Sequence, residues 1–348
     1  MGIFSKNFWF KLKRWEYWPF DVLYLPVYPY FIWQIIKRRS FFFFTSSNPS
    51  IDFGGMLGEK KSEIFELIPE KYIPVTIKLP PDTDEQTVLR LMEEKQINFP
   101  FILKPDVGER GWMVKKIDDV EDLRAYLREI AVDFLFQEFV DYPLELGVFY
   151  YRYPDKRNGK VSSVVAKEML FIVGDGENTV LSLIEKKPRA RFQLEELTKQ
   201  YDEAFLNQIL PEGEKVELVS IGNHCKGTKF LSGNEWIDQR LNEAIDKLAK
   251  EIPDFYFGRF DLRCNSIESL RALKDFKIME LNGAGAEPAH IYQPGYSLLK
   301  AYQSIYHHIG VLSKISATNN KRGFPYWSTS RGLAKIREIK SYNRQKLS

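Results

Sequence analysis

At 348 residues, 44% of them apolar and 28% charged, the chain is long enough for two or three packed domains and has an ordinary globular composition, which excludes a minimal scaffold. Its two cysteines, Cys225 and Cys264, form no spaced framework and no ligand pair, so a reducing, cytoplasmic compartment is favoured over secretion. Residues 314–348 carry nine Lys/Arg against one acid (+8) and residues 1–39 carry seven against two (+5), which leaves −10 for the middle because the total is +3. Basic ends around an acidic body suit an anionic surface better than a nucleic-acid groove, so no nucleic-acid partner is expected.

The chain begins with an aromatic, basic N-terminal arm, residues 1–39. Asp21 and the prolines Pro19, Pro26 and Pro29 interrupt its apolar stretch, whereas a membrane-spanning helix needs about 20 predominantly apolar residues. The arm also lacks the small-residue cleavage site of a signal peptide. Two interpretations stay open: a segment at the interface of an anionic membrane, favoured by Trp and Tyr flanked by Lys and Arg, and an arm packed on the protein or on a second subunit of a homodimer.

Residues 40–82 are predicted to form a small α/β domain. Its first strand is RSFFFFTSSNPS, ended by Asn48 and Pro49, and a glycine-containing loop follows. The apolar spacing in EKKSEIFELIP then predicts a helix that stops before Pro69, and YIPVTIKLP predicts a second strand.

Residues 83–313 continue the alternation of strands and helices, which is typical of an α/β layer. Helices are predicted at TDEQTVLRLMEEKQI with a cap at Thr83 or Asp84, at residues 118–131, at residues 237–252, and at PGYSLLKAYQSIYHHIGVLSKI. Strands are predicted on both sides of DVGERG and at FLFQEFV, LELGVFYYRY, KVSSVVAKEMLFIVGDG, FYFGRFDLR and FKIMELNG. Residues 314–348 are expected to form an extended or helical basic tail.

The stretch KIMELNGAGAEP places two oxygen ligands, Glu280 and Asn282, two residues apart on an apolar strand. Residues two apart on a strand share a face, so both side chains point into one cavity. Carboxylate and amide oxygens are ligands that Mg²⁺ prefers. The pattern predicts a site for a hard cation.

The order of the candidate residues is more specific than any one of them. A lysine in ILKP, the hairpin DVGERG, the strand FQEFV, then GRFD and, about twenty residues later, ELN resembles the ATP-grasp superfamily, and in particular the D-alanine:D-alanine ligases. GDGENTVLSLI, PRAR, LPEGEKVELV and GNHCKGTKF resemble cyanophycin synthetase and related amino-acid ligases. The resemblance covers residues 88–312 and implies two α/β subdomains that clasp a nucleotide, in an ATP-grasp domain at residues 83–313.

The resemblance also implies roles for individual residues. Metal ligands for Mg²⁺ or Mn²⁺ are implied at Asp261, Glu280 and Asn282, and catalytic groups at Arg259, Lys226 and Arg110. The set implied to bind ATP is Lys104 on the phosphates, Gly108 and Gly111 in the covering loop, Glu138, Phe139 and Val140 at the adenine, Glu145 at the ribose, and Lys167. The candidates that could line the acceptor side are Glu287, His290, Tyr292, Arg189, Arg191, His224 and Lys226.

The reaction implied is an ATP-dependent ligation of a carboxylate to an amine through an acyl phosphate. The substrates implied are small molecules, namely amino acids or peptides. Two other classes stay open. One is a nucleotide-binding adaptor at a membrane surface without ligase turnover, and the other is a carboxylate kinase that stops at phosphoryl transfer.

Overall fold

The computed structural model of the chain describes residues 9, 10, 12, 14–108, 111–219 and 227–345. They form two compact units. The larger unit comprises Pro19–Ala166, Ser232–Ile291 and Tyr296–Ser348, and the smaller one comprises Met1–Trp18, Lys167–Leu231 and Tyr292–Gly295. The domain boundaries predicted after residues 39, 82 and 313 follow a different division and stay predictions.

Helices appear at the five places where apolar spacing predicts them, and further helices that were not predicted lie within residues 20–38, at residues 267–271 and in the smaller unit. In chain order they are α1 (Phe20–Tyr24), α2 (Tyr28–Arg38), α3 (Lys61–Leu67), α4 (Glu85–Lys95), α5 (Val120–Glu129), α6 (Val180–Lys186), α7 (Pro188–Arg191), α8 (Leu194–Gln200), α9 (Glu203–Leu206), α10 (Gln239–Lys250), α11 (Ile267–Arg271), α12 (Leu298–Lys321) and α13 (Thr329–Gln345). The predicted cap of α4 is confirmed at Asp84, whose side chain accepts a hydrogen bond from the Thr87 amide.

The strands likewise match the apolar runs. They are β1 (Thr76–Leu79), β2 (Phe101–Pro105), β3 (Lys115–Ile117), β4 (Phe134–Glu138), β5 (Leu144–Tyr151), β6 (Lys160–Glu168), β7 (Phe171–Val173), β8 (Lys215–Glu217), β9 (Lys229–Ser232), β10 (Phe257–Cys264) and β11 (Phe276–Asn282). The predicted α/β class is confirmed, and all the strand pairings given below are antiparallel.

Two antiparallel sheets organise the larger unit. One has the strand order β1-β4-β2-β3, and the other has, within this unit, the order β11-β10-β5-β6. Helices α4 and α5 cover the first sheet with a core that includes Val88, Leu123 and Phe136. Helix α10 covers the second with Leu241, Ile245 and Leu248. These two layers hold β2 and β11, the strands that carry the candidate site.

The strand predicted at RSFFFFTSSNPS is wrong. Phe43–Ser46 forms a 3₁₀ turn, and Phe42, Phe43 and Phe44 are all buried in a third core together with Phe53 and Val311. A short apolar run that is buried on every side has no alternation, so its pattern does not distinguish a strand from a buried turn.

The smaller unit has a core of its own. Leu170, Ile172, Val180, Ile184 and Leu197 belong to it, and β7 pairs with β8 as a two-stranded antiparallel sheet. Short helices α6 to α9 surround this core. Because the unit buries its own apolar side chains, its packing can be described without reference to the larger unit.

Among the described residues, no helix has the length and apolar character that are needed to cross a membrane. This includes α2, which the sequence analysis did not interpret as a membrane span.

Candidate functional site

The site is built on the paired strands β10 and β11. Their register sets Arg259 opposite Asn282 and Asp261 opposite Glu280, and the next pair is Leu262 with Ile278. Met279 is therefore an extra residue on β11, a β-bulge that interrupts the regular pairing. Glu280 and Asn282 are both half-buried, whereas Leu281 between them is buried, which agrees with the predicted shared face of the two polar side chains.

Asp261 is held by a neighbouring guanidinium. Its two oxygens accept hydrogen bonds from Nε and Nη2 of Arg259 at 2.7 and 2.9 Å, and its residue exposure is only 5%. The Asn282 side-chain amide lies 3.4 Å from the same carboxylate. A buried carboxylate requires a compensating cation, and in this structure Arg259 supplies it.

Glu280 and Asn282 face a pocket of about 160 Å³ in the larger unit. The other residues that line it are Gly58, Glu59, Lys61, Ile64, Phe65, Val107, Gly108, Leu281, Ile339 and Asn343. Two of the three predicted oxygen ligands, Glu280 and Asn282, thus share a cavity with Val107 and Gly108 of the DVGERG segment, whereas Asp261 does not line it.

Lys104 lies beside this pocket and is almost fully buried. Its Nζ donates to Oε1 of Gln137 at 2.9 Å and to the backbone carbonyl of Met279 at 3.1 Å, and it lies 5.2 Å from the ring centroid of the pocket residue Phe65. The pKa of Lys104 is lowered from 10.5 to about 7, mainly by burial and also by the charge of Lys61, although the charges of Glu280 and Asp106 act in the opposite direction. The ammonium therefore connects the two sheets through the bulged residue.

The carbonyl groups of the DVGERG segment accept hydrogen bonds from other parts of the larger unit. The Gly108 carbonyl accepts a hydrogen bond from Nζ of Lys61 at 2.7 Å, and the Val107 carbonyl accepts one from the hydroxyl of Tyr342 at 2.9 Å. Gly111 has a positive φ of 69°, which a glycine tolerates without strain. Arg110, predicted to add charge to this loop, lies outside the described residues.

The residues predicted to hold the adenine and ribose gather around Arg263. This guanidinium donates to the Val140 carbonyl at 2.8 Å, makes an ion pair with Glu145 at 3.1 Å and lies 5.5 Å from the ring centroid of Phe139. Glu138 extends the β1–β4 pairing instead, because its carboxylate accepts from the Val75 amide at 3.1 Å. Arg263 itself was not among the predicted site residues, although its place two residues after Asp261 on the same strand was a signal.

Two of the residues predicted on the acceptor side, Glu287 and His290, belong to the larger unit. Glu287 accepts a hydrogen bond from the hydroxyl of Tyr24, and its backbone carbonyl accepts one from Arg259 at 3.3 Å, so it belongs to the Arg259 cluster. His290 is buried against the Ser163 hydroxyl at 2.7 Å, and burial lowers the pKa of His290 to about 4, which suits a structural role.

Other predicted residues belong to the smaller unit or are not described. Lys167, Arg189, Arg191 and Tyr292 lie in the smaller unit. There, the Arg189 guanidinium donates to the Thr228 carbonyl at 3.3 Å. Lys226 and His224 lie outside the described residues.

The glycines after β11 allow two backbone segments to approach closely. Ala284 and Gly285 donate to the carbonyls of Gly54 and Gly55 at 3.0 and 2.9 Å. A Cβ on Gly283 would lie 2.6 Å from the Gly54 oxygen and 2.8 Å from the Gly55 Cα. The turn lacks side chains because a second glycine turn occupies their place.

Several pocket residues were missed by the sequence analysis. Lys61 comes from α3, and Ile339 and Asn343 come from α13, which was predicted only as a tail. The signal for α13 was present in its spacing, since Gly332, Lys335, Ile339 and Tyr342 lie three to four residues apart and face inward.

The oxygen donors present fit a hard divalent cation in their chemistry. Asp261 and Glu280 lie directly opposite each other on neighbouring strands, and Asn282 adds an amide oxygen on the same face as Glu280. Within the part of the chain that the structure describes, no group of three or more His, Cys, Asp and Glu side chains is arranged to hold a metal ion. A cation at this place would therefore rest on two carboxylates and one amide, with Arg259 competing for Asp261.

No protein-family model matches the sequence, and no curated protein matches it. Solved structures do resemble it. A D-Ala:D-Ser ligase from Enterococcus faecalis is 14% identical with a TM-score of 0.42, over 75% of this chain and 61% of the other. A D-alanine–D-alanine ligase from Coxiella burnetii is 8% identical with a TM-score of 0.42, over 82% and 62%. A bifunctional glutathione synthetase from Pasteurella multocida is 13% identical with a TM-score of 0.36, over 71% and 36%.

The chain thus spans less than two thirds of the length of each of these three proteins. They include D-alanine ligases, the type of enzyme that the sequence motifs resemble. Because these TM-scores are below 0.5, the similarity does not indicate the activity or the substrate of this chain.

Proposed function

We propose that the chain is an ATP-dependent ligase of the ATP-grasp type, which joins a carboxylate to an amine through an acyl phosphate. The observation that carries the proposal is the shared pocket of Glu280, Asn282 and Gly108, with Lys104 beside it. A nucleoside triphosphate and its cation need oxygen ligands, a loop with few side chains and a lysine. This part of the larger unit offers all three.

The chain's own residues would divide the work as follows. Lys104 and Lys61 offer positive charge on the side of the pocket where Gly108 lies, so they would bind phosphate oxygens. A divalent cation, when bound, would be held by Asp261, Glu280 and Asn282 and would offset the charge of the phosphates. Arg259 would stabilise negative charge that develops on the transferring phosphoryl group.

Substrate activation follows from chemistry rather than from a nucleophilic side chain. A carboxylate is a poor electrophile, so the phosphoryl group of ATP would be transferred to it, with ADP leaving, before an amine attacks and phosphate departs. Positioning and charge stabilisation carry such a reaction, and a Ser-His-Asp arrangement is not needed. The acids and amines proposed are small molecules of the amino-acid or peptide class.

The first test is release of phosphate from ATP, measured with Mg²⁺ or Mn²⁺ while carboxylates and amino acids are screened in pairs. We expect Glu280→Gln to abolish turnover, because it removes one negative oxygen ligand, and to leave the thermal stability unchanged. Glu121→Gln is the matched control, since Glu121 is an exposed acid on α5 with 82% of its side chain accessible. Full activity of Glu280→Gln would exclude the metal assignment.

The same assay separates the alternatives. A ligase releases phosphate only when an amine is added, whereas a carboxylate kinase accumulates an acyl phosphate that hydroxylamine traps without any amine. A nucleotide-binding adaptor binds ATP and releases no phosphate in either case. A peripheral membrane location and a homodimer stay predictions alongside the proposed reaction.

A further inference from the structure

The N-terminal helices α1 and α2 present an apolar face to solvent. Eight large apolar side chains between residues 20 and 41 are exposed, which is half of the sixteen found among the described residues. On α2 the exposed set is Tyr28, Ile32, Trp33 and Ile36, and Ile36 has an accessibility of 62%. Their spacing of four, one and three residues places them on one side of the helix.

The side of α2 that faces the protein is partly apolar and partly polar: Phe31 and Ile35 pack against the third core, and Gln34 and Arg38 make polar contacts. Gln34 is only 4% exposed, and its Oε1 accepts a hydrogen bond from the Ser313 hydroxyl of α12 at 2.7 Å. Arg38 donates to the same hydroxyl at 2.8 Å. The exposed apolar side chains of α2 therefore lie on the side of the helix that faces away from these contacts.

This face belongs to a firmly attached element rather than to a loose arm. Leu23 and Val27 are buried at 2% and 1% exposure. Hydroxyl groups of α12 bind the backbone of this segment, with Tyr302 donating to the Leu23 carbonyl at 3.0 Å and Tyr306 to the Pro26 carbonyl at 2.7 Å. The exposed side chains are therefore held in a fixed arrangement.

The charge next to the face is positive. Lys37, Arg38 and Arg39 follow the last exposed isoleucine, and no Asp or Glu occurs from residue 22 to residue 51. Lys37 and Arg39 are exposed. Asp21, at the other end, accepts a hydrogen bond from the Tyr28 hydroxyl at 3.2 Å. Aliphatic side chains, Trp and Tyr beside exposed cations are the combination that favours the interface of an anionic bilayer.

We propose that the face formed by Phe20, Val22, Leu25, Tyr28, Ile32, Trp33, Ile36 and Phe41 docks on the surface of an anionic lipid bilayer, with α2 lying in the plane of the interface and Lys37 and Arg39 contacting lipid phosphates. The proposal goes beyond the proposed ligase function and does not rest on it. Apolar burial supplies the attachment and the cations select anionic lipid.

The test is co-sedimentation of the full chain with vesicles of pure phosphatidylcholine and with mixed phosphatidylcholine–phosphatidylglycerol vesicles. We expect the chain to sediment with the mixed vesicles at low salt, and less so in about 1 M salt, where the screening length falls from about 10 to about 3 Å. Ile32→Asp combined with Ile36→Asp should lower the binding by about tenfold or more, because two apolar side chains no longer enter the interface.

Ile209→Asp is the matched control, since Ile209 is 52% exposed and Ile32 is 53% exposed. It should bind vesicles as the unchanged chain does. Lys37→Glu with Arg39→Glu is a second, independent variant, which should lose the preference for phosphatidylglycerol. Thermal melting checks that each variant is folded.

Three results would overturn the proposal: no binding of the unchanged chain to mixed vesicles at low salt, equal binding of the chain and the folded Ile32/Ile36 variant, or unchanged lipid preference in the folded Lys37/Arg39 variant. A second copy of the chain is the competing occupant. If sedimentation velocity without vesicles shows a dimer that the Ile32/Ile36 variant converts to a monomer, the face is a dimer interface and the lipid proposal is wrong.

Discussion

Lys104 is a buried amine whose protonation is poised near neutral pH. Because burial lowers the pKa of Lys104 to about 7, the unfolded chain binds more protons than the folded chain between that value and 10.5. The contribution of this residue to stability therefore rises as the pH increases through this window, and its cost is largest below pH 7. The buried amine is suited to a phosphate partner that would favour its charged form.

Binding of a nucleotide should accordingly take up a proton above neutral pH, and its affinity should fall as the pH rises. We expect Lys104→Met to abolish this proton uptake and to weaken binding by about ten- to a hundredfold, because a hydrogen bond to a charged group contributes about 1.5–3 kcal/mol. Calorimetry with a non-hydrolysable ATP analogue, in buffers of different ionisation enthalpy, measures both effects. Lys95→Met, at an exposed position, is the control, and an equal proton uptake in Lys104→Met would contradict the assignment.

At the scale of elements, the glycine turns at residues 54–55 and 283–285 pack directly against each other. We expect Gly283→Ala to lower the free energy of unfolding by about 1–3 kcal/mol, because its methyl group would overlap the Gly54 carbonyl and separate the two turns. Urea unfolding measures the change.

Gly323→Ala is the control for this prediction, since a Cβ there meets nothing within 4 Å and reports only the backbone cost of a φ of 98°. Asn282 lines the pocket and directly precedes Gly283, so a shift of this turn would displace it. Gly283→Ala should therefore also weaken nucleotide binding, whereas Gly323→Ala should not. Equal effects of the two substitutions on stability would show that close approach does not matter.

The elements could be predicted where their patterns are regular. Apolar spacing predicts α3, α4, α5, α10 and α12, and alternation or apolar runs predict β1 to β6, β10 and β11. The prediction of a strand at residues 40–50 was wrong, since Phe42 to Phe44 are all buried and show no alternation of buried and exposed positions.

The site was predicted in part for the same reason. The shared face of Glu280 and Asn282 follows from a period of two within one strand, so sequence was enough. The pairing of Asp261 with Arg259 follows from the same period, since both lie on β10, whereas the pairing of Glu145 with Arg263 depends on which strands lie next to each other, which local patterns do not specify. Lys61 and Asn343 reach the pocket from positions far apart in the chain, and only the tertiary fold brings them together.

At the scale of the whole molecule, two units have separate cores, so damage to one core should remain local. We expect Ile184→Ala, in the smaller unit, to cost about 2–5 kcal/mol and to speed amide hydrogen exchange within residues 167–231. Ile245→Ala is the reciprocal control, because Ile245 is equally buried at 0% exposure in the core of the larger unit and should speed exchange in β5 and β10. Exchange that rises over the whole chain in both variants would contradict the division.

The bulge at Met279 also limits how the gene for this chain can vary. Loops on the surface tolerate the gain or loss of codons, whereas the loss of the Met279 codon would change the contacts of the site. Its deletion would restore a regular β10–β11 ladder and would keep Glu280 opposite Asp261 and Asn282 opposite Arg259, because the residues on both sides of the bulge already pair in order. It would also remove the carbonyl that receives Lys104. An in-frame deletion of this single codon would therefore give a more regular sheet that keeps the two carboxylates opposite each other but loses the backbone contact of Lys104, whereas most substitutions of the Met279 side chain would keep that contact.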